Sequence, residues 1–338
     1  MRTVVLEEPG RLRAMETAPP EAPSSGSALV RVHRVGVCGT DFHAWRGRQP
    51  FFTFPRILGH ELGVEVVNVG PNDRGLQPGS RCAVEPYLNC GTCRACRLNR
   101  GNCCERMRVL GVHVDGGMRE VIEVPIEKLH PSRTLDVERL ALVETISVGH
   151  HAVARAGISE GETVLVVGAG PIGLAAASSA RAMGGSVAIA DMSAPRLAFA
   201  QRTLGFDRTV QTGDADPVPV VRDAFGGLPS VVIDATGSAP SMQRAFALVA
   251  QAGTLVFVGL VQADISFNDP EFHRRELTVL ASRNALPSDF ASVIRSMESG
   301  GLDVGPWITH RAALEDVPAV FPEWTEAASG VVKALVTV

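Results

Sequence analysis

Apolar and polar residues alternate along much of the first third of the chain. The alternation is clear at residues 28–33, 62–69 and 81–84, and a segment rich in proline, glycine and serine at residues 19–27 precedes the first of these runs. A period of two is typical of strands with one buried face, and segments of that composition are typical of turns. The N-terminal part is therefore predicted to be a β-rich domain of short antiparallel strands.

From residue 163 onward, continuous apolar runs alternate with helical patterns. The predicted strands are residues 163–167, 186–190, 208–210, 230–234 and 254–259, and the predicted helices are residues 174–183, 196–204 and 242–250. This rhythm is typical of a doubly wound parallel sheet, which binds ligands at the carboxyl ends of its strands. Ala235 and Val258 stand at two such ends and are predicted to contact a cofactor.

After about residue 280 the strand–helix rhythm stops. A helix at residues 289–299 and a last strand at residues 333–338 are predicted to complete the β-rich domain. A chain of 338 residues is too long for one hydrophobic core, so two domains are expected. The predicted fold class is α/β: residues 1–146 and 280–338 form the β-rich domain, and residues 147–279 form the domain with the parallel sheet.

A glycine-rich turn follows the predicted strand at residues 163–167. Its members are Gly168, Gly170, Pro171, Ile172 and Gly173. Such glycines let the backbone approach a pyrophosphate, whose charge is favoured at the N-terminus of the next helix. Asp191 ends the following strand, where a carboxylate accepts hydrogen bonds from ribose hydroxyls and repels a 2′-phosphate. The sequence therefore predicts NAD as the cofactor, with the side chain of Arg196 against the adenine.

Four closely spaced cysteines are typical of a structural zinc site. They are Cys90, Cys93, Cys96 and Cys104, in a segment rich in glycine, asparagine and arginine. Four thiolates at this spacing suit a closed tetrahedral zinc, whereas unpaired thiols in a polar loop would be open to oxidation. Cys103 and Cys104 are adjacent and only one of them can be the fourth ligand; Cys104 is our prediction. Residues 88–106 are thus predicted to form a zinc lobe.

Cys38, His60 and Glu61 are candidate ligands of a second, catalytic zinc. They cannot meet on one helix, but a fold that returns the chain brings them together, and thiolate, imidazole and carboxylate all suit Zn²⁺. The alternative is that Cys38 and His60 only fill the core. Glu144 lies in an otherwise apolar segment, where a buried carboxylate needs a partner. It is either a further zinc ligand or a surface glutamate of a helix.

A zinc of this type together with NAD points to the interconversion of a secondary alcohol and a ketone. Zn²⁺ with an open coordination position acts as a Lewis acid on the alcohol, and the hydride passes to the nicotinamide. The proton must leave, and Thr40 and His43 stand on the same segment as Cys38, so a relay from hydroxyl to imidazole is predicted. Asp41 is predicted to orient the ring of His60.

Composition excludes several classes of partner. The chain carries 32 Lys and Arg against 36 Asp and Glu, a net charge of −4, so no basic surface for nucleic acid or an anionic membrane is expected. No apolar run approaches the roughly 20 residues of a membrane span. The N-terminus lacks the pattern of a signal peptide, and the cysteines cluster at metal-type spacing. A cytoplasmic protein with a small-molecule substrate is expected.

With these motifs the chain resembles the zinc-containing medium-chain dehydrogenase/reductase family over essentially its full length. The motifs are Cys38-Gly39-Thr40-Asp41 with His43, Gly59-His60-Glu61, the zinc lobe and the glycine-rich turn. The resemblance implies a GroES-like catalytic domain, a Rossmann domain, and assembly as a homodimer or homotetramer.

The residue at position 144 narrows the resemblance. Alcohol dehydrogenases of the family usually have a cysteine where this chain has Glu144, and a glutamate there resembles the polyol (sorbitol) and threonine dehydrogenase branch. In that branch, residues matching Cys38, His60 and Glu61 hold the zinc, and the glutamate matching Glu144 reaches it directly or through water. Which of the two carboxylates, Glu61 or Glu144, binds the zinc at rest stays open, and the choice is expected to change during turnover.

Further segments resemble bacterial dehydrogenases that act on sugar acids such as L-galactonate. They are residues 43–45, 49–52, 111–113, 269–273 and 282–285. This resemblance implies a sugar acid as the substrate, with Arg283 pairing with its carboxylate and with Trp45 and Phe52 lining the pocket. Core packing is the alternative for the two aromatic residues. Contact with the cofactor or a surface role is the alternative for Arg283.

Two other functions are compatible with the sequence. An L-threonine 3-dehydrogenase or a general secondary alcohol dehydrogenase would carry the same zinc and nucleotide motifs. A non-catalytic nucleotide-binding relative would share the fold, but such relatives commonly lack the ligands at the positions of Cys38 or His60, which this chain retains. The retained residues favour an enzyme.

Overall fold

The computed structural model describes residues 1–50 and 52–338, and the chain divides into two units. The first unit comprises Met1–Thr145 and Leu286–Val338, and the second comprises Ile146–Ala285. Phe51, which belongs to one of the segments that resemble sugar-acid dehydrogenases, lies outside the described residues. Each unit has its own buried apolar core.

Strands dominate the N-terminal part of the first unit. They are β1 (Arg2–Glu8), β2 (Arg11–Glu16), β3 (Ser27–Val37), β4 (Arg56–Ile57), β5 (Glu61–Val69), β6 (Arg81–Val84), β7 (Tyr87–Leu88), β8 (Arg108–Val109), β9 (Val121–Pro125) and β10 (Leu129–Pro131). The accompanying helices are α1 (Gly39–Trp45), α2 (Arg94–Arg97) and α3 (Val137–Ala156). Helix α3 spans the boundary: its residues up to Thr145 belong to this unit, and those from Ile146 belong to the second. The predicted β-rich domain is confirmed.

The second unit alternates strands and helices. Its elements after α3 are β11 (Thr163–Val167), α4 (Pro171–Ala182), β12 (Ser186–Asp191), α5 (Ala194–Leu204), β13 (Thr209–Gln211), α6 (Val218–Phe225), β14 (Val231–Asp234), α7 (Ala239–Ala245), β15 (Thr254–Phe257), α8 (Asp269–Arg274) and β16 (Thr278–Ala281). The six strands form one sheet in the order β13-β12-β11-β14-β15-β16, and all neighbouring pairs are parallel. The predicted doubly wound fold is confirmed.

The boundary near residue 280 lies later than the sequence indicated. Strand β16 pairs in parallel with β15, from Thr254↔Thr278 to Phe257↔Ala281. The strand is therefore an edge of the nucleotide-type sheet, and the second unit extends to Ala285 and not to residue 279. Short apolar runs of this kind are ambiguous in sequence because edge strands are only half buried.

The C-terminal residues return to the first unit. They form α9 (Pro287–Glu298), β17 (Ile308–Ala313), α10 (Val317–Trp324) and β18 (Lys333–Thr337). Strand β18 lies between β3 and β17 in a sheet of order β10-β6-β5-β3-β18-β17, to which β9 adds by pairing with β3. The last strand of the chain is thus a neighbour of the strand that precedes Cys38.

Two predicted helices have different bounds in the structure. Helix α3 starts at Val137, ten residues earlier than the predicted start at residue 147, so Glu144 lies inside a helix and not ahead of one. The helix predicted at residues 242–250 is α7, which ends at Ala245 and is followed by one 3₁₀ turn at Phe246–Leu248. Phe246 and Leu248 of that turn are buried in the core of the second unit. Among the described helices, none has the length and apolar character that crossing a membrane requires.

Glu138 joins three elements of the first unit. Its carboxylate on α3 accepts a hydrogen bond from Arg311 on β17 at 3.0 Å and from Arg34 on β3 at 3.2 Å. The hydrogen bond from Arg311, which outweighs partial burial, and the one from Arg34 hold the pKa of Glu138 below its ordinary value. A carboxylate with a lowered pKa in the folded state stabilises the protein above its unfolded pKa and loses that contribution as the pH falls.

The Glu138→Gln variant is expected to melt about 2 °C below the parent at neutral pH, because both arginines lose an ionic partner. The difference should shrink as the pH falls below the ordinary pKa of a glutamate, and it should vanish once the pH is below the lowered pKa of the folded state, where the carboxyl is protonated in both states. Differential scanning calorimetry from neutral to acidic pH measures this, with the exposed Glu323→Gln as the control. A difference of equal size at all pH values would contradict the ionic origin.

Candidate functional site

The pairing of β3 with β5 brings the candidate catalytic ligands together. Cys38 directly follows β3 and precedes α1, His60 directly precedes β5, and Glu61 is the first residue of β5. The two strands are antiparallel, with Glu61 opposite Gly36. One ligand atom each of Cys38, His60 and Glu61 lies within 4.8 Å of the others. The antiparallel pairing of β3 with β5 is therefore the feature of the fold that brings Cys38 close to His60 and Glu61.

The carboxylate of Glu61 is held by a buried lysine. Nζ of Lys333, on β18, donates to Oε1 and Oε2 of Glu61 at 2.7 and 2.8 Å. The same ammonium donates to Oγ1 of Thr145 at 3.1 Å and to the carbonyl of Val37 at 3.3 Å. A Cβ at Gly36 would lie 2.1 Å from Oε2 of Glu61, so the glycine makes the room that the carboxylate occupies.

Charge explains why Glu61 is stable in this position. Burial raises the pKa of Glu61, but the ammonium of Lys333 and the neighbouring His60 outweigh burial, so the pKa lies below its ordinary value. Glu61 is therefore ionised, and Lys333 is its counter-ion. The carboxylate is near the other ligands but has both oxygens occupied by hydrogen bonds.

His60 and Asp41 form a buried pair beside Cys38. Nδ1 of His60 and Oδ1 of Asp41 are 3.8 Å apart, and neither atom has a hydrogen-bond partner. The other oxygen of Asp41 accepts from the backbone N–H of Cys38 at 2.9 Å. Asp41 is thus close enough to His60 for an ion pair, but the two side chains do not share a direct hydrogen bond. The orienting role of Asp41 stays a prediction.

The electrostatics around His60 favour a cation. Burial lowers the pKa of His60, but the carboxylate of Asp41 and the thiol of Cys38 outweigh burial and raise it well above its ordinary value. A buried ring nitrogen without a partner, anionic neighbours, and a sulfur at short range together form a donor set that suits a divalent ion. The residues present therefore fit Zn²⁺.

Glu144 lies beside this group but outside it. Its carboxylate, on α3, is buried and accepts a hydrogen bond from the hydroxyl of Tyr87. Burial raises the pKa of Glu144 above its ordinary value. The group of ligand atoms within 4.8 Å contains Cys38, His60 and Glu61, and among the described residues it does not extend to Glu144. The alternative of a surface glutamate is wrong, and the role of zinc ligand stays a prediction.

Thr40 and His43 stand three positions apart on α1, so they lie on the same face of the helix. Thr40 is half-buried and His43 is exposed. Burial, followed by the positive charges of Arg46 and Arg48, lowers the pKa of His43. The imidazole is therefore neutral near pH 7 and able to accept a proton. In the predicted relay, the exposed imidazole of His43 is thus a suitable acceptor for the released proton.

The cysteine lobe assembles four sulfurs. Cys90, Cys93, Cys96 and Cys104 each place Sγ within 4.8 Å of the others, and Cys93 is 3.5 Å from Cys96 and 3.9 Å from Cys104. Hydrogen bonds from the backbone N–H groups of Thr92 and Cys93 lower the pKa of Cys90 to about 5, which favours the thiolate that zinc requires. The structure brings Cys104 into the group, and Cys103 is exposed. This donor set fits a closed zinc site.

A matched pair of substitutions tests the lobe. Cys93→Ser is expected to lose one zinc per chain and to lower the melting temperature on the order of 10 °C, because a structural zinc contributes folding free energy. Cys103→Ser changes a neighbouring cysteine outside the sulfur group and should leave both quantities unchanged. Metal analysis and thermal melting of the two variants measure this. Equal zinc content in Cys93→Ser and the parent would contradict the assignment.

The glycine-rich turn has the geometry that a phosphate-binding turn requires. Gly168 follows β11 with φ of 103°, in the left-handed region. A Cβ at Gly173 would lie 1.7 Å from the carbonyl oxygen of Gly168, so only glycine allows α4 to start this close to the strand. Gly170 is the N-cap and Pro171 is the first residue of α4, followed by Ile172. The N-terminal N–H groups of the helix are thus available to an anion.

Other predicted cofactor residues stand at the same edge of the parallel sheet. They are Asp191 at the end of β12, Ala235 after β14, Val258 after β15 and Arg283 after β16. The carboxylate of Asp191 accepts from the backbone N–H of Ala169 at 2.6 Å and of Ser193 at 2.7 Å. It is therefore fixed against the glycine-rich turn. Arg196 is exposed on the first turn of α5.

The residues predicted to contact substrate occupy different surroundings. Trp45 and Phe52 pack against the apolar core of the first unit, and Trp45 lies 6.4 Å from the ring of Phe321. Core packing therefore accounts for much of their environment, and their contact with substrate stays a prediction. Arg283 is exposed in the second unit.

Sequence patterns missed Lys333, Thr145 and Tyr87. The signal for Lys333 was a single lysine at the start of an apolar run, since a lysine at the head of a buried strand needs an acidic partner. Tyr87 is the one tyrosine of the chain and stands three residues before the first cysteine of the lobe. Neither feature of the sequence identifies the residue that is bound, because Glu61 is remote in sequence from Lys333 and Glu144 is remote from Tyr87.

Two family models match the chain. One describes the alcohol dehydrogenase GroES-like domain and matches residues 24–134; the other describes zinc-binding dehydrogenases and matches residues 171–299. The first range contains Cys38, His60, Glu61 and the cysteine lobe. The second starts at the glycine-rich turn.

Individual proteins are similar over almost the whole length. L-Galactonate-5-dehydrogenase of Escherichia coli K12 is 44% identical over 315 residues, 92% of this chain and 91% of that protein. Sorbitol dehydrogenase of Ovis aries is 34% identical, covering 94% and 92% of the two chains. A crystal structure of the short chain alcohol dehydrogenase RspB of E. coli CFT073, complexed with NADH, has a TM-score of 0.92 and 28% identity, and the match covers 100% and 99%.

Proposed function

The chain belongs to the zinc-binding medium-chain alcohol dehydrogenase family, and we propose that it oxidises a secondary alcohol of a sugar acid or polyol, with NAD⁺ as the hydride acceptor. The observation that carries the proposal is the group of Cys38, His60 and Glu61 within 4.8 Å, in a chain that also has the glycine-rich turn. The similarity to L-galactonate-5-dehydrogenase makes L-galactonate the first substrate to test.

We propose that Cys38, His60 and one carboxylate, Glu61 or Glu144, hold the catalytic zinc. Bound zinc would supply Lewis acidity to an alcohol oxygen and bound NAD⁺ would be the hydride acceptor, so that the balanced products would be a ketone, NADH and a proton. Asp41 stabilises the positive charge that gathers around His60. Thr40 passes the released proton to His43, whose lowered pKa makes it a neutral acceptor.

A substrate screen tests the proposal. Purified protein is mixed with NAD⁺ and L-galactonate, sorbitol or L-threonine, NADH formation is followed at its absorbance band, and zinc is measured on the same sample. We expect the fastest turnover with L-galactonate and two zinc ions per chain. Turnover with L-threonine alone would favour the amino-alcohol branch. Two zinc ions without NADH formation on any substrate would favour a non-catalytic relative.

Asp191 is expected to set the preference for NAD over NADP, because its carboxylate accepts ribose hydroxyls and repels a 2′-phosphate. The Asp191→Ala variant should lower the ratio of kcat/KM for NAD to that for NADP roughly 10- to 100-fold, the range that loss of a charged hydrogen bond implies. Asp214→Ala, an exposed acid in the same unit, is the control. A parent enzyme that already uses both cofactors equally would refute this role of Asp191.

We propose that the enzyme works in the cytoplasm as a homodimer or homotetramer. Strand β16 supports assembly: within the part of the chain that the structure describes, it pairs on one side only, with β15, and it carries exposed Val279. The grouping of four thiols for metal binding fits a reducing compartment. Light scattering coupled to size-exclusion chromatography measures the number of subunits.

A further inference from the structure

Tyr87 contacts Glu144 from outside the candidate ligand group. The tyrosine is 3% exposed, the glutamate is 6% exposed, and the phenol hydroxyl donates to the carboxylate. A hydrogen bond to one oxygen of a carboxylate restrains the rotation of the group, and with it the direction of its second oxygen. Tyr87 therefore restrains where the remaining oxygen of Glu144 points.

The ring of Tyr87 is held by an aromatic neighbour. It meets Phe290 of α9 edge to face, with ring centroids 6.3 Å apart and planes at 77°. The other side of this contact is a stack of Phe290 on the imidazole of His130, with centroids 4.7 Å apart. Phe290 is fully buried and contacts both rings, so a shift of His130 alters the packing against Tyr87.

His130 contacts Glu85, which lies two residues before Tyr87 in the chain. Nε2 of His130 lies 3.1 Å from Oε2 of Glu85, and Oε1 of Glu85 accepts from Nζ of Lys128 at 2.5 Å. All three side chains are buried. Nζ of Lys128 also donates to Oδ1 of Asn89 at 2.7 Å. Residues 85–89, which we call the connecting segment, thus contribute both an acid and an amide to one buried ammonium.

Asn89 joins this network to the cysteine lobe. Its Nδ2 lies 3.7 Å from Sγ of Cys96, within hydrogen-bonding range for sulfur, and Asn89 directly precedes Cys90. The amide therefore bridges Lys128 and a sulfur of the four-cysteine group. A continuous series of contacts inside the first unit leads from that sulfur through Asn89, Lys128, Glu85, His130 and Phe290 to Tyr87 and Glu144.

We propose that Tyr87 is a positioning residue for Glu144, and that the connecting segment ties its position to the cysteine lobe. The polar members of the series are paired, and all of them except Asn89 and Cys96, which are half-buried, are buried. The loss of one contact therefore leaves an unpaired group that its neighbours must move to satisfy. The lobe then supports the catalytic centre as well as the fold. The catalytic consequence rests on the proposed function, whereas the geometric coupling does not.

The single tyrosine makes the coupling directly measurable. Zinc-loaded protein produced with 3-fluorotyrosine should give one ¹⁹F resonance, which reports on the surroundings of the Tyr87 hydroxyl. Glu144→Gln should move this resonance and so establishes that it senses the carboxylate. Asn89→Ala, at the far end of the series, should move it by more than its linewidth. The control is Asn72→Ala in the same unit, whose amide donates to the carbonyls of Gly70 and Leu76 and which should leave the resonance unchanged.

Kinetics supply a second readout. Tyr87→Phe removes only the hydroxyl and is expected to lower kcat roughly 10-fold, as loss of a group that orients a metal-site residue does, while KM for NAD⁺, zinc content and melting temperature stay close to the parent values. Asn89→Ala should also lower kcat relative to the parent. A fall in zinc content or melting temperature that accounts for the whole loss of activity in Tyr87→Phe would assign the hydroxyl to stability and overturn the positioning role.

The outcomes separate this inference from the proposed function. If Asn89→Ala leaves the resonance at the parent position while Glu144→Gln moves it, the coupling is refuted even in an active enzyme. If the parent enzyme reduces no NAD⁺ on any substrate but Asn89→Ala moves the resonance, the proposed function fails and the coupling stands.

Discussion

The His60→Ala variant is expected to lose at least about 10³-fold in kcat/KM, since Lewis-acid activation of the alcohol contributes several kcal/mol and each 1.4 kcal/mol is a factor of ten. The imidazole is one of three donors within 4.8 Å, and alanine offers no ligand in its place. The variant should contain one zinc per chain in place of two. Steady-state kinetics with L-galactonate and metal analysis of the same protein measure both changes.

The control for this variant is the binding of the cofactor. Cofactor affinity, measured by calorimetry, should equal that of the parent, because His60 belongs to the first unit and the glycine-rich turn to the second. Cys38→Ala should give the same kinetic result as His60→Ala. Full activity in either variant, or an unchanged zinc content, would remove the metal from this group of residues.

The Lys333→Met variant is expected to lose about 3–5 kcal/mol of unfolding free energy, the range seen when one partner of a buried ion pair is removed. Side chains of Lys333 and Glu61 are 2% and 0% exposed, so solvent cannot compensate the carboxylate that remains. Methionine keeps the length and apolar character of the lysine stem, which limits the effect to the charge. Urea unfolding followed by circular dichroism measures the change.

Two further variants show whether the loss of stability in Lys333→Met comes from the unpaired charge of Glu61. Arg2→Met breaks the surface pair with Glu120 and should leave the free energy of unfolding close to that of the parent. Lys333→Met combined with Glu61→Gln removes the unpaired charge and should recover part of the loss. If Lys333→Met is no less stable than the parent, Glu61 does not depend on this ammonium.

Local motifs were predictable from the sequence because their members are close along the chain. Spacing predicts the sulfur group of Cys90, Cys93 and Cys96 with one of the adjacent Cys103 and Cys104, and the structure brings Cys104 into it. The glycine-rich turn is equally local, since its role depends on one strand, one turn and one helix. The β-rich and parallel-sheet parts were predictable for the same reason, since the period of apolar residues is a local property.

The remainder depends on contacts between distant residues. The Lys333–Glu61 pair spans 272 positions and the Tyr87–Glu144 hydrogen bond spans 57, and no local pattern encodes either partner. The same limit explains β16, whose membership in the second unit is decided by pairing with β15 and not by its own half-exposed residues. The start of α3 at Val137, earlier than predicted, has a similar origin, because tertiary packing buries residues 140–147 and so supports the first half of the helix.

The position of Lys333 on the last strand has a consequence for biosynthesis. A nascent chain presents Cys38, His60 and Glu61 early, but the ammonium that neutralises Glu61 lies 272 positions later and is synthesised only after the whole of the second unit. Until then, the centre carries an uncompensated negative charge and β3 lacks its neighbour β18. The charge balance of this centre is thus completed only after the second unit has been synthesised, and a chain that stops before residue 333 lacks the counter-ion of Glu61.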